Sequence, residues 1–280
     1  NSIRLVIFED DARSPDYFFN EKTICRLGEG LSATGKLNPR GKERALAALQ
    51  RFVGIARGMG VRELIGVGTA AMREAADAPA FRDEIARETG LEIRVATGLE
   101  EARLSSCGVM LGWPNAQGLI ADIGGSSLEL AKVEDGEILG AVSTNAGHLR
   151  LADASIDESA SILEQLRDEA SKFAPIKGPL VLIGGAWRAL AKAEMSRQKY
   201  PLNVLMGYEV TPDAIRALCE WAISVDPQQL KKAAGASSSR VASIAAGARA
   251  LRCLMDALKP ENVAVSAFGL REVRRFDRMP

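Results

Sequence analysis

Net charge is absent from this chain of 280 residues: Lys and Arg number 36, and Asp and Glu also number 36. Without a global field to gather an anion, any anion site must be local, built from a few arginines, backbone amides and, where needed, a metal ion. The balance excludes a wholly basic binder of nucleic-acid polymers. Paired cysteine motifs are missing too. Cys25, Cys107, Cys219 and Cys253 stand far apart with no CxxC spacing, which fits buried small apolar side chains in a reducing compartment, taken here as the cytoplasm. No apolar run approaches the ~20 residues of a membrane span, so no membrane is expected as a partner. No charged stretch followed by an apolar one opens the chain, so no export signal is visible. What the chain does have is apolar material, 47% of its residues, enough for a packed core.

The pattern along the chain alternates. Residues 3–9 read as a strand and 19–27 as a second extended piece. Residues 40–57 carry Ala45, Leu49, Phe52, Val53 and Ala56 on one helical stripe, ended by Gly58 and Gly60. A strand at 62–67, a helix at 71–87, a strand at 91–96 and a helix at 99–111 come next. This order argues for an α/β layer fold with a mostly parallel sheet. The second half restarts at Gly118 with a strand to Ile123, a strand at 127–133, an Asp135-Gly136 hairpin turn and a return at 138–143. A helix at 156–173, a strand at 179–183, helices at 186–196, 212–224 and 240–258, and a strand at 262–266 complete it. The halves share a local pattern: residues 1–10 align without a gap on 126–135, each a polar pair, a strand and a Glu-Asp turn. This suggests a duplicated unit whose first copy opens in mid-loop at Asn1. On that reading a preceding loop and strand are expected to be missing.

The chemistry concentrates in Asp122-Ile123-Gly124-Gly125-Ser126-Ser127-Leu128-Glu129. A buried strand delivers Asp122. Gly124 and Gly125 allow a tight turn with exposed amides, and Ser126 and Ser127 add hydroxyls, a nest for phosphate oxygens. Glu129 can return to the side of Asp122, and two carboxylates facing a phosphate suit Mg²⁺. A tight hairpin with glycines for steric reasons fits the same string equally well. Gly184-Gly185-Ala186-Trp187-Arg188 places a second glycine pair between a strand and a helix, where free amides and the positive helix end coincide. A plain strand-to-helix turn is the alternative. Arg73 comes after the strand at 62–67 and either faces the crevice at the strand ends or is a solvated helix residue. Glu100 and Glu101 open a helix, as capping charge or as a general base. His148 is the only histidine and lacks a flanking Arg-His-Gly pattern, and no cysteine sits in a Cys-x5-Arg loop. A carboxylate and metal mechanism remains.

Together these segments resemble the Ppx/GppA family, the exopolyphosphatases and guanosine pentaphosphate phosphohydrolases. Asn1-Ser2-Ile3-Arg4-Leu5 resembles the end of the family's first phosphate loop. Residues 68–75 resemble its Thr-Ser-Ala-x-Arg-Glu-Ala segment, residues 97–104 its Ser-Gly-x-Glu-Glu-Ala-Arg-Leu, and residues 122–130 its Asp-Ile-Gly-Gly-Gly-Ser-x-Glu-Leu. Gly184 to Leu190, Tyr200-Pro201-Leu202 and Phe268-Gly269-Leu270-Arg271-Glu272 fit as well. The resemblance implies an actin-like (ribonuclease H-like) fold of two duplicated domains, 1–115 and 116–280, with the site in a cleft between them. It implies Mg²⁺-dependent hydrolysis at the end of a phosphate chain, either inorganic polyphosphate or guanosine pentaphosphate.

Carried over by position, Glu101 is the base that activates water, and Asp122 and Glu129 organise the metal. Gly124, Gly125, Ser126 and Ser127 bind phosphate, as do Asn1, Ser2, Arg4 and Arg73. Gly184, Gly185 and Arg188 join them as further chain contacts. A homodimer is common in such families. The sequence departs from the pattern at Ser126, where a third Gly is usual, at Ala242 and Ala245 in the late helix, and at Val273. An actin-like sugar kinase, or a non-catalytic binder of polyphosphate or guanosine alarmones, would keep the same loops. The Glu-Glu-Ala-Arg segment speaks against the kinase.

Overall fold

A computed structural model describes residues 2–8, 17–202 and 204–273. The chain divides into two compact units, Asn1–Thr97 and Gly98–Pro280. In the first unit, strands β1 (Ser2–Phe8) and β2 (Tyr17–Ile24) pair antiparallel, with Ser2 opposite Ile24. A short helix α1 (Leu31–Thr34) precedes α2 (Pro39–Gly58). Asn38 caps α2 by accepting the Gly41 N–H at 2.8 Å, and Pro39 starts it with a preset φ. The buried stripe of α2 includes the five apolar residues read from the sequence.

Strands β3 (Gly66–Gly68) and β4 (Ile93–Val95) pair in parallel around two helices, α3 (Ala70–Glu74) and α4 (Ala78–Thr89). The continuous helix expected over 71–87 is broken. Pro79 sits in the first turn of α4, and the Asp77 carboxylate ahead of it accepts the Leu37 N–H at 2.8 Å and a hydrogen bond from the Lys42 ammonium at 2.9 Å.

The second unit opens with α5 (Gly98–Gly112), which packs on strands of its own unit. Packing joins α5, which the family resemblance assigns to the first domain (1–115), to the strands C-terminal to it. Next in the chain are β5 (Gly118–Ile123), β6 (Leu128–Glu134) and β7 (Glu137–Thr144). Asp135 (φ 50°) and Gly136 (φ 79°) make the tight turn between β6 and β7. Helices α6 (His148–Asp153) and α7 (Ile156–Ser171) lead to β8 (Leu180–Ile183) and α8 (Gly185–Arg197). Strand β9 (Tyr208–Val210), helices α9 (Pro212–Ser224), α10 (Pro227–Ala234) and α11 (Ser238–Leu258), strand β10 (Val263–Val265) and a 3-10 turn at Leu270–Glu272 finish the described chain.

The six strands lie in the order β7-β6-β5-β8-β10-β9. The sheet is mixed, correcting the mostly parallel expectation. β5–β8 and β8–β10 are parallel, whereas β5–β6, β6–β7 and β9–β10 are antiparallel. The two hairpins, β5–β6 and β6–β7, reverse the chain locally, whereas β9 runs against β10 across the three helices that separate them in the chain. β9, three residues between Gly207 and Thr211-Pro212, escapes the sequence pattern, and so do the short helices α1, α6 and α10.

The core of the unit joins Leu119, Leu128, Leu130, Leu180, Leu182, Trp187, Leu251 and Leu254 between the sheet and its helices. The Trp187 indole N–H donates to the Gly247 carbonyl at 2.8 Å, which locks the start of α8 against α11. The parallel strands β5, β8 and β10 end at Ile123, Ile183 and Val265. The loops leaving those ends are where an α/β sheet offers a ligand crevice. Among the described residues, no helix is long and apolar enough to cross a membrane.

Candidate active site

Antiparallel pairing sets Asp122 on β5 directly opposite Glu129 on β6, and the next pairing sets Ser143 on β7 opposite Glu129. Residues directly opposite in a sheet share a face, so the three form one row. The Ser143 hydroxyl donates to Glu129 Oε1 at 2.8 Å. Helix α5 packs over this region, and Ser105 donates its hydroxyl to Asp122 Oδ2. One turn earlier on the same helical face lies Glu101. α5 also approaches the segment after β10 closely, since a Cβ at Gly108 would collide with the Gly269 carbonyl.

Glu101 and Glu129 are buried, and Asp122 retains only part of its surface. Taking Glu129 and Asp122 out of water disfavours their charged forms. Glu129 is held well above the ordinary glutamate range, first by burial, then by the charges of Glu101 and Asp122. The Ser127 and Ser143 hydroxyls act against the shift. The Ser127 oxygen faces Glu129 without closing a hydrogen bond of good geometry. Asp122 is raised by burial. The Ser105 hydroxyl and the charges of Arg188 and Arg271 oppose that shift, and Glu272 adds to it. Perturbed carboxylates of this kind are concentrated at functional sites.

The loop joining β5 to β6 has its carbonyls committed. Gly124 O accepts the His148 N–H at 3.0 Å, Gly125 O accepts those of Leu149 (2.9 Å) and Arg150 (3.3 Å), and Ser126 O accepts that of Gly147 (3.3 Å). A trans peptide points its N–H opposite to its carbonyl. The amides of Gly125, Ser126 and Ser127 therefore point away from α6. Successive outward amides of this kind are the donors that an anion site uses. The bracing requires Gly147, because a Cβ there would run into the Gly125 carbonyl and the Ser126–Ser127 peptide. His148 braces the nest through its backbone.

The second glycine pair packs beside the first. Gly184 has φ 107°, and a Cβ on it would collide with the Ile123 carbonyl. Gly185 starts α8 next to it. The Arg188 guanidinium is tied inward, with Nε donating to the Ser266 carbonyl at 2.9 Å and Nη2 to the Phe268 carbonyl at 3.5 Å. It thus links α8 to the segment after β10 while its charge acts on Asp122. In that segment Arg271 pairs with buried Glu272, which accepts the Gly269 N–H at 2.7 Å.

The remaining sequence candidates lie in the first unit. Ser2 is exposed at the start of β1, Arg4 donates to the Asn20 side chain at 2.6 Å, and Arg73 donates to the Ala96 carbonyl at 2.8 Å. Asn1 lies outside the described residues.

Sequence reasoning passes over Ser105, Ser143, Arg271 and Glu272 as members of the cluster. Ser105 is detectable four residues after Glu101. Ser143 needs the β6–β7 register, and the Arg271–Glu272 pair needs the tertiary fold.

Among the described residues, no group of three or more His, Cys, Asp or Glu is arranged to cage a metal ion. Asp122 and Glu129 nevertheless offer oxygen donors from opposite strands, with a mutual repulsion that a cation would relieve. This suits a hard divalent ion that keeps waters and takes other ligands from a phosphate substrate.

Outward-facing loop amides and a cluster of carboxylates thus lie together where the parallel strands end. The chain belongs to the Ppx/GppA phosphatase family, whose model matches residues 6–280. It is similar to exopolyphosphatase 1 of Mycobacterium tuberculosis (strain ATCC 25618 / H37Rv), 26% identical over 306 residues, covering 99% of this chain and 86% of that protein. It is also similar to exopolyphosphatase 1 of Mycobacterium leprae, 27% identical over 94% of this chain and 83% of that one. The fold matches the crystal structure of an exopolyphosphatase from Cytophaga hutchinsonii with a TM-score of 0.85, at 23% identity over 97% of this chain and 92% of that one. The Aquifex aeolicus PPX-GPPA enzyme matches at 0.80, with 24% identity over 97% and 94%. The fold is thus the α/β one shared by Ppx/GppA structures, which the sequence resemblance implied to be actin-like.

Proposed function

We propose that the protein is an exopolyphosphatase, cutting the terminal phosphate from inorganic polyphosphate by attack of a Glu101-activated water with Mg²⁺ at Asp122 and Glu129. The observation that carries this reading is the placing of Glu101 over the opposed Asp122–Glu129 pair, beside the amide nest of Gly125, Ser126 and Ser127. The mycobacterial relatives named as exopolyphosphatases support the substrate class.

In the proposed step, the nest amides and the Ser126 and Ser127 hydroxyls hold phosphate oxygens. Water attacks the terminal phosphorus in line, and Glu101 accepts its proton. The bond from that phosphorus to the bridging oxygen breaks, and the oxygen keeps the electron pair. The products are orthophosphate and a chain one unit shorter. Bound Mg²⁺ supplies charge neutralisation on the phosphate oxygens. Arg188, tied to two carbonyls, is assigned to holding the loop ends and countering Asp122 rather than to gripping the chain. Roles for Asn1, Ser2, Arg4 and Arg73 as further phosphate ligands, and for Gly184 and Gly185 as chain contacts, come from the resemblance. Cytoplasmic residence is part of the proposal, supported by four free cysteines.

The test is orthophosphate release from long-chain polyphosphate and from guanosine pentaphosphate, each with and without Mg²⁺. Mg²⁺-dependent release favouring polyphosphate is expected. Release from guanosine pentaphosphate alone would transfer the assignment to that substrate. Binding of both without release would make the protein a sensor.

A further inference from the structure

Ser105 and Ser106 are neighbouring buried serines on α5, and they behave differently. A buried helical serine ordinarily satisfies its hydroxyl on the carbonyl four residues back. Ser106 does so, donating to Ala102 O at 2.8 Å. The corresponding acceptor for Ser105 is the carbonyl of Glu101. Its hydroxyl instead leaves the helix and donates to Asp122 Oδ2 on β5. This bond joins the helix carrying Glu101 to the strand carrying Asp122, one helical turn from the Glu101 side chain. On the far side of the cluster, Ser143 ties Glu129 to β7 at 2.8 Å. Each of the two opposed carboxylates is thus fixed by a serine from a flanking element.

We propose that Ser105 is a positioning residue, a strut between α5 and β5 that sets Glu101 against Asp122 for the hydrolytic step. This rests on the reading of Glu101 as the base. The strut ends on Asp122 and not on the nest, so its loss is felt in the chemical step rather than in substrate capture. Misplacement of a catalytic group by about 1 Å costs on the order of 10²-fold in rate.

The experiment compares Ser105→Ala, Ser105→Thr and Ser106→Ala in the full chain, measuring kcat and KM on polyphosphate together with thermal melting. Ser105→Ala is expected to lower kcat by about 10- to 100-fold while KM changes less than about threefold. Ser105→Thr, which keeps a hydroxyl, is expected to recover most of that loss. Ser106→Ala is expected to match the wild type.

A kcat within about twofold of wild type in Ser105→Ala would overturn the proposal. So would a loss shared equally by Ser106→Ala. If the threonine fails for lack of room, shown by a lowered melting temperature, the Ser105→Ala split between kcat and KM decides alone. Glu101→Gln is assayed alongside. Full turnover there removes the underlying reading of the base. Loss of turnover there with a normal Ser105→Ala removes only the strut.

Discussion

Asp122 and Glu129 stand directly opposite each other on neighbouring antiparallel strands, one held by a serine from α5 and the other by a serine from β7. Two acids in register, one buried and the other largely so, are a poor way to stabilise a sheet. Their arrangement makes sense as a receptor for positive charge, and its energetic signature is open to measurement.

Glu129 binds its proton more tightly in the folded chain than the ordinary value of 4.5 allows. Between 4.5 and that raised value, the folded state therefore holds more protons than the unfolded one. Its contribution to stability is full below 4.5 and is lost as pH rises through the folded value. Glu129→Gln keeps an oxygen for Ser143 but removes the charge. Without added divalent ions, the variant is expected to gain stability over wild type as pH rises from about 4 towards 8, the window above the unfolded glutamate value, read by urea unfolding at each pH. A constant difference across that range would contradict the electrostatic account.

Gly184 is predicted to be irreplaceable for a backbone reason. Its φ of 107° is strained for any residue with a side chain, and a Cβ would strike the Ile123 carbonyl. Gly184→Ala should cost about 3 kcal/mol or more, from conformational strain plus overpacking. Chemical denaturation measures it, and a cost below about 1 kcal/mol would show that the two glycine loops are not locked together.

Arg188→Lys should not restore what Arg188→Ala loses. The guanidinium reaches the Ser266 and Phe268 carbonyls through two nitrogens, and an ammonium lacks that fork. Both variants are expected to lose roughly 1–3 kcal/mol in urea unfolding, the scale of hydrogen bonds to a charged group. Full stability in Arg188→Lys would return the side chain to the substrate-facing cations.

How far the sequence reveals this architecture depends on the range of the interactions involved. The α2 stripe, the Asp135-Gly136 turn and the glycine loops are legible because each is set within a few residues. So is the pairing of Asp122 with Glu129, since a four-residue loop between two strands leaves little choice of register. The break before Pro79 is equally local, but the apolar periodicity runs on past the proline and hides it. The antiparallel pairing of β9 with β10 is not legible, because it depends on how the helices between them fold back. Ser143 and the Arg271–Glu272 pair enter the cluster only through the tertiary fold. The commitment of Arg188 to backbone carbonyls depends on where the chain after β10 comes to rest.

Metal dependence is expected from the paired carboxylates. Chelation by EDTA should abolish phosphate release, with recovery on adding Mg²⁺. The Asp122→Asn and Glu129→Gln variants should each need more Mg²⁺ for half-maximal rate. Undiminished turnover in EDTA would remove the metal from the proposal.

The central claim is that Glu101 activates the attacking water, and the most direct measurement is orthophosphate release from polyphosphate by Glu101→Gln beside wild type, with Mg²⁺ and with substrate binding followed in parallel. A general base contributes roughly 10²–10⁴-fold. The account predicts a loss of turnover of that size with binding intact. Turnover near the wild-type rate in Glu101→Gln would contradict it.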